Sequence, residues 1–185
     1  MKKISSKEII EAVKKLFIDA GRFLPEDVVH TFISGKEKEI SPLGKEIFDQ
    51  LLKNTEIAKN EGLALCQDTG FAVVFIEWGE KVIFDGENLF EAVNEGVRQA
   101  YNEGYYRKSI VSDPLFDRKN TGDNTPCLLH FEMVPGDKVK IITAPKGGGS
   151  ENMSAIRMLK PADGVEGVKK FVIETVEKAG GNPCP

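Results

Sequence analysis

The run Phe71-Ala-Val-Val-Phe-Ile-Glu-Trp78 constrains the fold most tightly. It is β-branched and aromatic almost throughout, and so reads as a strand. Residues 1–62 have a different texture. Ser5-Ser6-Lys7-Glu8 offers a capping box, in which Ser5 caps and Glu8 reaches back. Ile9, Ile10, Val13, Leu16 and Phe17 then recur on one helical stripe, with Gly21 as the expected stop. Pro25-Glu26-Asp27 opens a second helix carrying Val28, Val29, Phe32 and Ile33, because proline and acids suit a first turn. Ser41-Pro42 opens a third, with Leu43, Ile47, Leu51 and Leu52 as its inner face and Gly62 as its end.

After Trp78 the turn Gly79-Glu80-Lys81 leads to a short strand, Val82-Ile83-Phe84. Helical spacing returns from Asn88 to Glu103, through Leu89, Val93, Val97 and Tyr101. Residues Tyr105 to Thr125 show no periodicity, and an irregular segment that long is usually functional or disordered. Cys127 to Val134 reads as a strand joined by the turn Pro135-Gly136-Asp137 to a hairpin partner, Val139 to Ala144. A glycine-rich loop, a helix near Ser150–Leu159 and a last helix from about Asp163 to Ala179 complete the pattern. The class is α+β in a single domain over residues 1–185: N-terminal helices, then a small, mostly antiparallel or mixed sheet flanked by helices.

With 29 acidic and 25 basic residues the net charge is −4, which does not point to nucleic acid or an anionic membrane surface. No apolar run approaches the roughly 20 residues a membrane helix needs, and the N-terminus lacks a signal-peptide pattern. Three cysteines are too few for a disulfide framework in a chain of 185 residues, so reduced thiols and a cytoplasmic location are expected.

The cysteines differ in setting. Strand alternation places Cys127 with Leu129, Phe131 and Met133 on an apolar face, where a thiol behaves as a small hydrophobe. Cys66 precedes Gln67-Asp68-Thr69-Gly70 at a break between helix and strand, and reads either as a buried loop thiol or as a ligand. Cys184 stands between two prolines, as a metal ligand or a mobile thiol. Zinc is disfavoured by the absence of Cys-x-x-Cys pairs. Thiolates could instead hold an iron–sulfur cluster, whose open iron is a Lewis acid.

Lys146-Gly147-Gly148-Gly149-Ser150-Glu151-Asn152 could present backbone N–H groups to a small carboxylate, or be a flexible turn. It matches neither the P-loop nor the dinucleotide pattern. Arg107 and the run Asn120-Thr121-Gly122-Asp123-Asn124 offer donors to a dicarboxylate, or form a solvated loop. His30 and His130 read as structural. A segment such as Gly180-Gly181-Asn182-Pro183-Cys184-Pro185 normally connects elements, so the natural chain is expected to continue.

Taken in order, Cys66–Gly70, Arg107 with Ser112-Asp113-Pro114-Leu115, Asn120–Pro126, Lys146–Asn152 and Asn182–Pro185 resemble the α-subunit, or N-terminal region, of the iron–sulfur (class I) fumarate hydratase and L(+)-tartrate dehydratase family. The resemblance covers nearly the whole chain. It implies a [4Fe–4S] cluster held by three cysteines and reversible addition of water to a dicarboxylic alkene, fumarate to malate or the tartrate equivalent. By position Cys66 and Cys184 resemble cluster ligands. Gln67 and Asp68 resemble substrate-site residues, with Asp68 the proton-transfer candidate. Arg107 resembles a carboxylate-binding arginine and Gly149 a backbone contact to substrate. The family's third ligand lies downstream of the Cys184 motif, and Cys127 does not match it. A β-subunit or C-terminal domain is the implied partner, with homo- or hetero-oligomers expected. The 185-residue chain alone is expected to hold no stable cluster and to be inactive. A dicarboxylate-binding module without chemistry and an interaction protein that docks a partner subunit are the remaining alternatives.

Overall fold

A computed structural model describes residues 2–182. The elements are β1 (Lys2–Ser5), α1 (Ser6–Arg22), α2 (Glu26–Lys38), α3 (Pro42–Glu61), β2 (Phe71–Gly79), β3 (Val82–Asp85), α4 (Leu89–Glu103), β4 (Leu128–Val134), β5 (Val139–Lys146) and α5 (Gly164–Ala179). They form an α+β architecture. The chain divides into two compact units, one up to Lys146 and one from Gly147 onward. Among the described residues no helix is long and apolar enough to cross a membrane.

Helix α1 begins as its capping box requires. Glu8 N–H donates to Ser5 Oγ at 3.3 Å, and Ser5 N–H donates to Glu8 Oε2 at 2.8 Å. Its stripe Ile9, Val13 and Phe17 is buried in one core with Val93, Val97, Ala100 and Tyr101 of α4 and Val74, Ile76 and Trp78 of β2. The helix ends at Arg22, one residue past the expected stop at Gly21. Gly21 is a buried helical residue, and a Cβ there would collide with the Tyr106 ring. The α2–α3 pair is shallower. Phe32 and Phe48 meet with ring centroids 6.3 Å apart, but Leu43 is mostly exposed and Ala58 is the buried residue of α3. Gly62 ends α3 in the left-handed conformation, at φ 69°.

The main sheet has the order β4-β2-β5, with β2 parallel to β4 and antiparallel to β5. The expected β4–β5 hairpin is therefore not formed. The most apolar strand takes the centre, where neighbours on both sides saturate its backbone. The Pro135-Gly136-Asp137 connection instead crosses the end of β2. Gly79, Glu80 and Lys81 donate to the carbonyls of Lys138, Val134 and Gly136, each at 2.9 Å. A Cβ on Gly79 would sit 2.7 Å from Lys138 O, so the crossing requires glycine. β3 likewise does not extend the main sheet; it pairs in parallel with β1, a four-residue strand too short and charged to stand out in the sequence.

In the unit from Gly147 onward, the helix expected near Ser150–Leu159 reduces to a four-residue 3-10 turn, Ser150–Met153. A second 3-10 turn, Pro161–Asp163, leads into α5. Arg157 lies 4.8 Å from the Phe171 ring centroid and pairs with Glu174 at 2.9 Å, which ties the intervening extended segment to α5.

Candidate functional site

Sheet topology gathers the motifs. β2 and β4 are parallel and begin near each other, with Val73 opposite Leu128, while antiparallel β5 ends at Lys146 opposite Phe71. The segments preceding β2 and β4 and the last residue of β5 therefore lie at one end of the sheet.

Leu65 anchors the segment before β2. Its N–H donates to Gly21 O and its carbonyl accepts from Asn54 Nδ2, both at 2.8 Å. Cys66 follows, exposed. The Asp68 N–H approaches its Sγ at 3.4 Å, and the thiol lies 3.4 Å from Gln67 Oε1. Asp68 is half-buried, and its Oδ1 accepts from Gly70 N–H at 3.2 Å.

Thr69 and Gly70 are buried and tie this loop to the long irregular segment. Tyr101 Oη donates to Thr69 O at 2.7 Å; burial raises this phenol above its ordinary value and keeps it a neutral donor. Thr69 Oγ1 donates to Arg107 O at 3.0 Å. Asn124, completely buried, donates through Nδ2 to Gly70 O at 3.0 Å and accepts through Oδ1 from Ser109 and Ile110 N–H at 2.7 and 3.2 Å. Its φ of 63° suits asparagine better than most residues. Three of the five motifs, around Cys66, Arg107 and Asn124, thus meet through hydrogen bonds. The Arg107 side chain itself is exposed.

The run 120–124 is scaffold in this arrangement. Asn120 Nδ2 donates to Lys108 O at 3.0 Å, and Asn124 is committed as above. Asp123 pairs with Arg98 Nε at 2.9 Å and accepts from Thr125 N–H and Oγ1 at 3.0 and 2.7 Å. Burial opposes its ionisation, but these bonds prevail and hold its carboxyl down at about 2. Tyr101 and Thr69 escaped the sequence reading. Tyr101 sits on the apolar stripe of α4 and looks like pure core until its hydroxyl is located.

Gly149 precedes only a 3-10 turn, so no α-helix N-terminus stands behind the glycine loop. His130 stacks on Phe75 with ring centroids 4.7 Å apart, as a structural residue. Cys184 lies outside the described residues. Among the described residues no three His, Cys, Asp or Glu side chains gather as a metal site.

Cys127 is buried, and burial pushes its thiol up to about 11. At about pH 8, iodoacetamide should therefore label Cys66 in the native protein and leave Cys127 unlabelled until unfolding, since only about one in a thousand Cys127 thiols is ionised there. Peptide mass spectrometry reads the difference. Equal native labelling of the two would contradict the burial of Cys127.

This loop architecture, with an exposed cysteine, a neighbouring carboxylate and an arginine segment at one end of a mixed sheet, is that of a site-bearing α+β unit. The family model for fumarate hydratase (Fumerase) matches residues 10–185, and the chain belongs to that hydro-lyase family. It is 38% identical over 182 residues to a Methanocaldococcus jannaschii protein named "Putative L(+)-tartrate dehydratase subunit alpha", covering 96% of this chain and 64% of that protein. It is 32% identical over 166 residues to the L(+)-tartrate dehydratase subunit alpha of Escherichia coli strain UTI89, covering 88% of this chain and 54% of that protein. The chain therefore spans less than two thirds of the length of either relative.

Proposed function

We propose that this chain is the α-subunit part of an iron–sulfur hydro-lyase that reversibly hydrates a four-carbon unsaturated dicarboxylate. The observation that carries the reading is the exposed Cys66 thiol beside Asp68, on a loop hydrogen-bonded to the Arg107 segment. Family membership supports the reaction class, and the relatives' names support a multi-subunit enzyme with a β-subunit partner.

The donor set around Cys66 fits a thiolate ligand. The sulfur is accessible, and the backbone N–H of Asp68 points at it from 3.4 Å. Cys66 and Cys184 would hold a [4Fe–4S] cluster together with a third thiolate from the polypeptide that completes the enzyme. When bound, the cluster supplies a Lewis-acidic iron with an open coordination position.

The chain's own residues do the rest. Arg107 binds a substrate carboxylate, since its planar guanidinium matches that group with two parallel bonds. Gln67 and the backbone of Gly149 orient the substrate. Asp68 transfers the proton at the carbon adjacent to the one that gains or loses hydroxyl. Fumarate–malate interconversion is the first reading. L(+)-Tartrate is the second, favoured by the names that the relatives carry.

The test is anaerobic reconstitution of the complete enzyme, an α-subunit that extends through the third ligand together with its β partner, followed by assays with fumarate, L-malate and L(+)-tartrate. Cys66→Ser should lose iron and all turnover. Full iron content in that variant would remove Cys66 as a ligand. Dicarboxylate affinity without turnover in the iron-loaded wild type would favour the binding-module alternative.

A further inference from the structure

We propose that Thr69 is a positioning residue for the carboxylate-binding arginine: its hydroxyl, by holding the main-chain carbonyl of Arg107, sets where that arginine stands relative to the Cys66–Asp68 loop. The inference rests on the dicarboxylate reading of the site.

Thr69 is 5% exposed, and its Oγ1 donates to Arg107 O at 3.0 Å. The surroundings of that bond are fixed independently of it. Thr69 O accepts from Tyr101 Oη at 2.7 Å, and Gly70 O accepts from Asn124 Nδ2 at 3.0 Å, so the threonine's own backbone is immobilised. On the other side, Tyr106 Oη donates to Ile18 O at 2.8 Å, and the Ser109 and Ile110 N–H groups are held by Asn124 Oδ1. Arg107 lies between these anchors. Its neighbour Lys108 is held at the carbonyl by Asn120 Nδ2, at 3.0 Å.

The Thr69 hydroxyl therefore bonds at the arginine itself, from a backbone one residue away from Asp68. The Arg107 side chain is exposed, so packing does not set its direction; its main chain does. A side chain that springs from a fixed carbonyl loses less freedom when it binds a carboxylate than one that springs from a swinging peptide. The buried Thr69 thereby couples the segment that binds carboxylate to the loop that carries the acid–base group.

Valine has the shape of threonine, keeps its β-branch and removes only the donor. In the complete enzyme, Thr69→Val should raise KM for the dicarboxylate about fivefold, the scale of one neutral hydrogen bond. kcat should stay within about twofold, because a loss of binding common to ground and transition state raises KM alone. Iron content should stay unchanged. Affinity for succinate, an unreactive dicarboxylate, should fall by the same factor in calorimetry. Thr69→Ser, which keeps the hydroxyl, should restore both.

Unchanged KM and succinate affinity in Thr69→Val would overturn the proposal. So would an equal loss in Thr69→Ser, or a fall in kcat and iron content with KM unmoved, which would mark Thr69 as support for the fold alone. If the wild type binds succinate but hydrates none of the substrates, the hydro-lyase reading fails, while the succinate comparison still decides the role of Thr69.

Discussion

Asp68→Asn in the complete enzyme should leave iron content unchanged and lower kcat by about 10²–10⁴-fold, the range that a positioned acid–base group supplies. Asparagine has the outline of aspartate and keeps the oxygen that accepts from Gly70 N–H at 3.2 Å. The backbone N–H of residue 68 still points at the Cys66 sulfur. The loop is held elsewhere, at Leu65 by Gly21 and Asn54, at Thr69 by Tyr101 and at Gly70 by Asn124, so removing one charge does not release it. What disappears is the carboxylate's capacity to accept and return a proton. Anaerobic iron analysis alongside steady-state kinetics separates the two roles. Unchanged kcat would remove Asp68 from proton transfer, and loss of iron with kcat per iron preserved would make it a loop-supporting residue. Cys66→Ser should show the opposite pattern, with iron gone first and activity following.

The helices were legible because their signals are local. The Ser5–Glu8 capping box, the Ile9–Phe17 stripe and the Gly62 stop each depend on residues within one or two turns. Gly21 marked the end of α1 to within one residue, but its requirement for glycine is tertiary: the Tyr106 ring occupies the space of its missing side chain. The strands were legible as strands but not in their pairing. Pro135-Gly136-Asp137 looks like a hairpin turn, and nothing in a linear reading says that β2 will take the place between β4 and β5. The residues around Cys66 and Arg107 stood out as motifs, and topology explains why they meet. The hydrogen bonds that join them come from Thr69, Tyr101 and Asn124, which read as turn, core and loop donor respectively. Side chains whose role is to satisfy distant backbone carry no periodic signature.

Phe17→Ala should cost about 3–5 kcal/mol. Phe17 is completely buried, and its ring centroid lies 6.1 Å from that of Tyr101, which in turn meets Tyr106 edge-on at 5.6 Å. Val13, Val93 and Val97, all completely buried, are members of the same core. Two helices and a sheet enclose the site, so the cavity left by a phenyl ring cannot collapse without moving α1 relative to α4. For a chain of this size the loss corresponds to roughly 10 °C in Tm, readable by calorimetry or far-ultraviolet circular dichroism. Phe17→Leu, closer in volume, should recover most of it. The consequence also reaches the site. Tyr101 holds Thr69 O through its hydroxyl, and Phe17 and Tyr106 hold the Tyr101 ring. Phe17→Ala should therefore speed amide hydrogen exchange in residues 66–70 beyond the global change, whereas Phe48→Ala, which removes the ring facing Phe32 in the α2–α3 pair, should leave that loop protected once each variant is compared at its own global stability. Equal exchange in the two variants would mean that Tyr101 is held without Phe17 and that the core does not brace the cysteine loop.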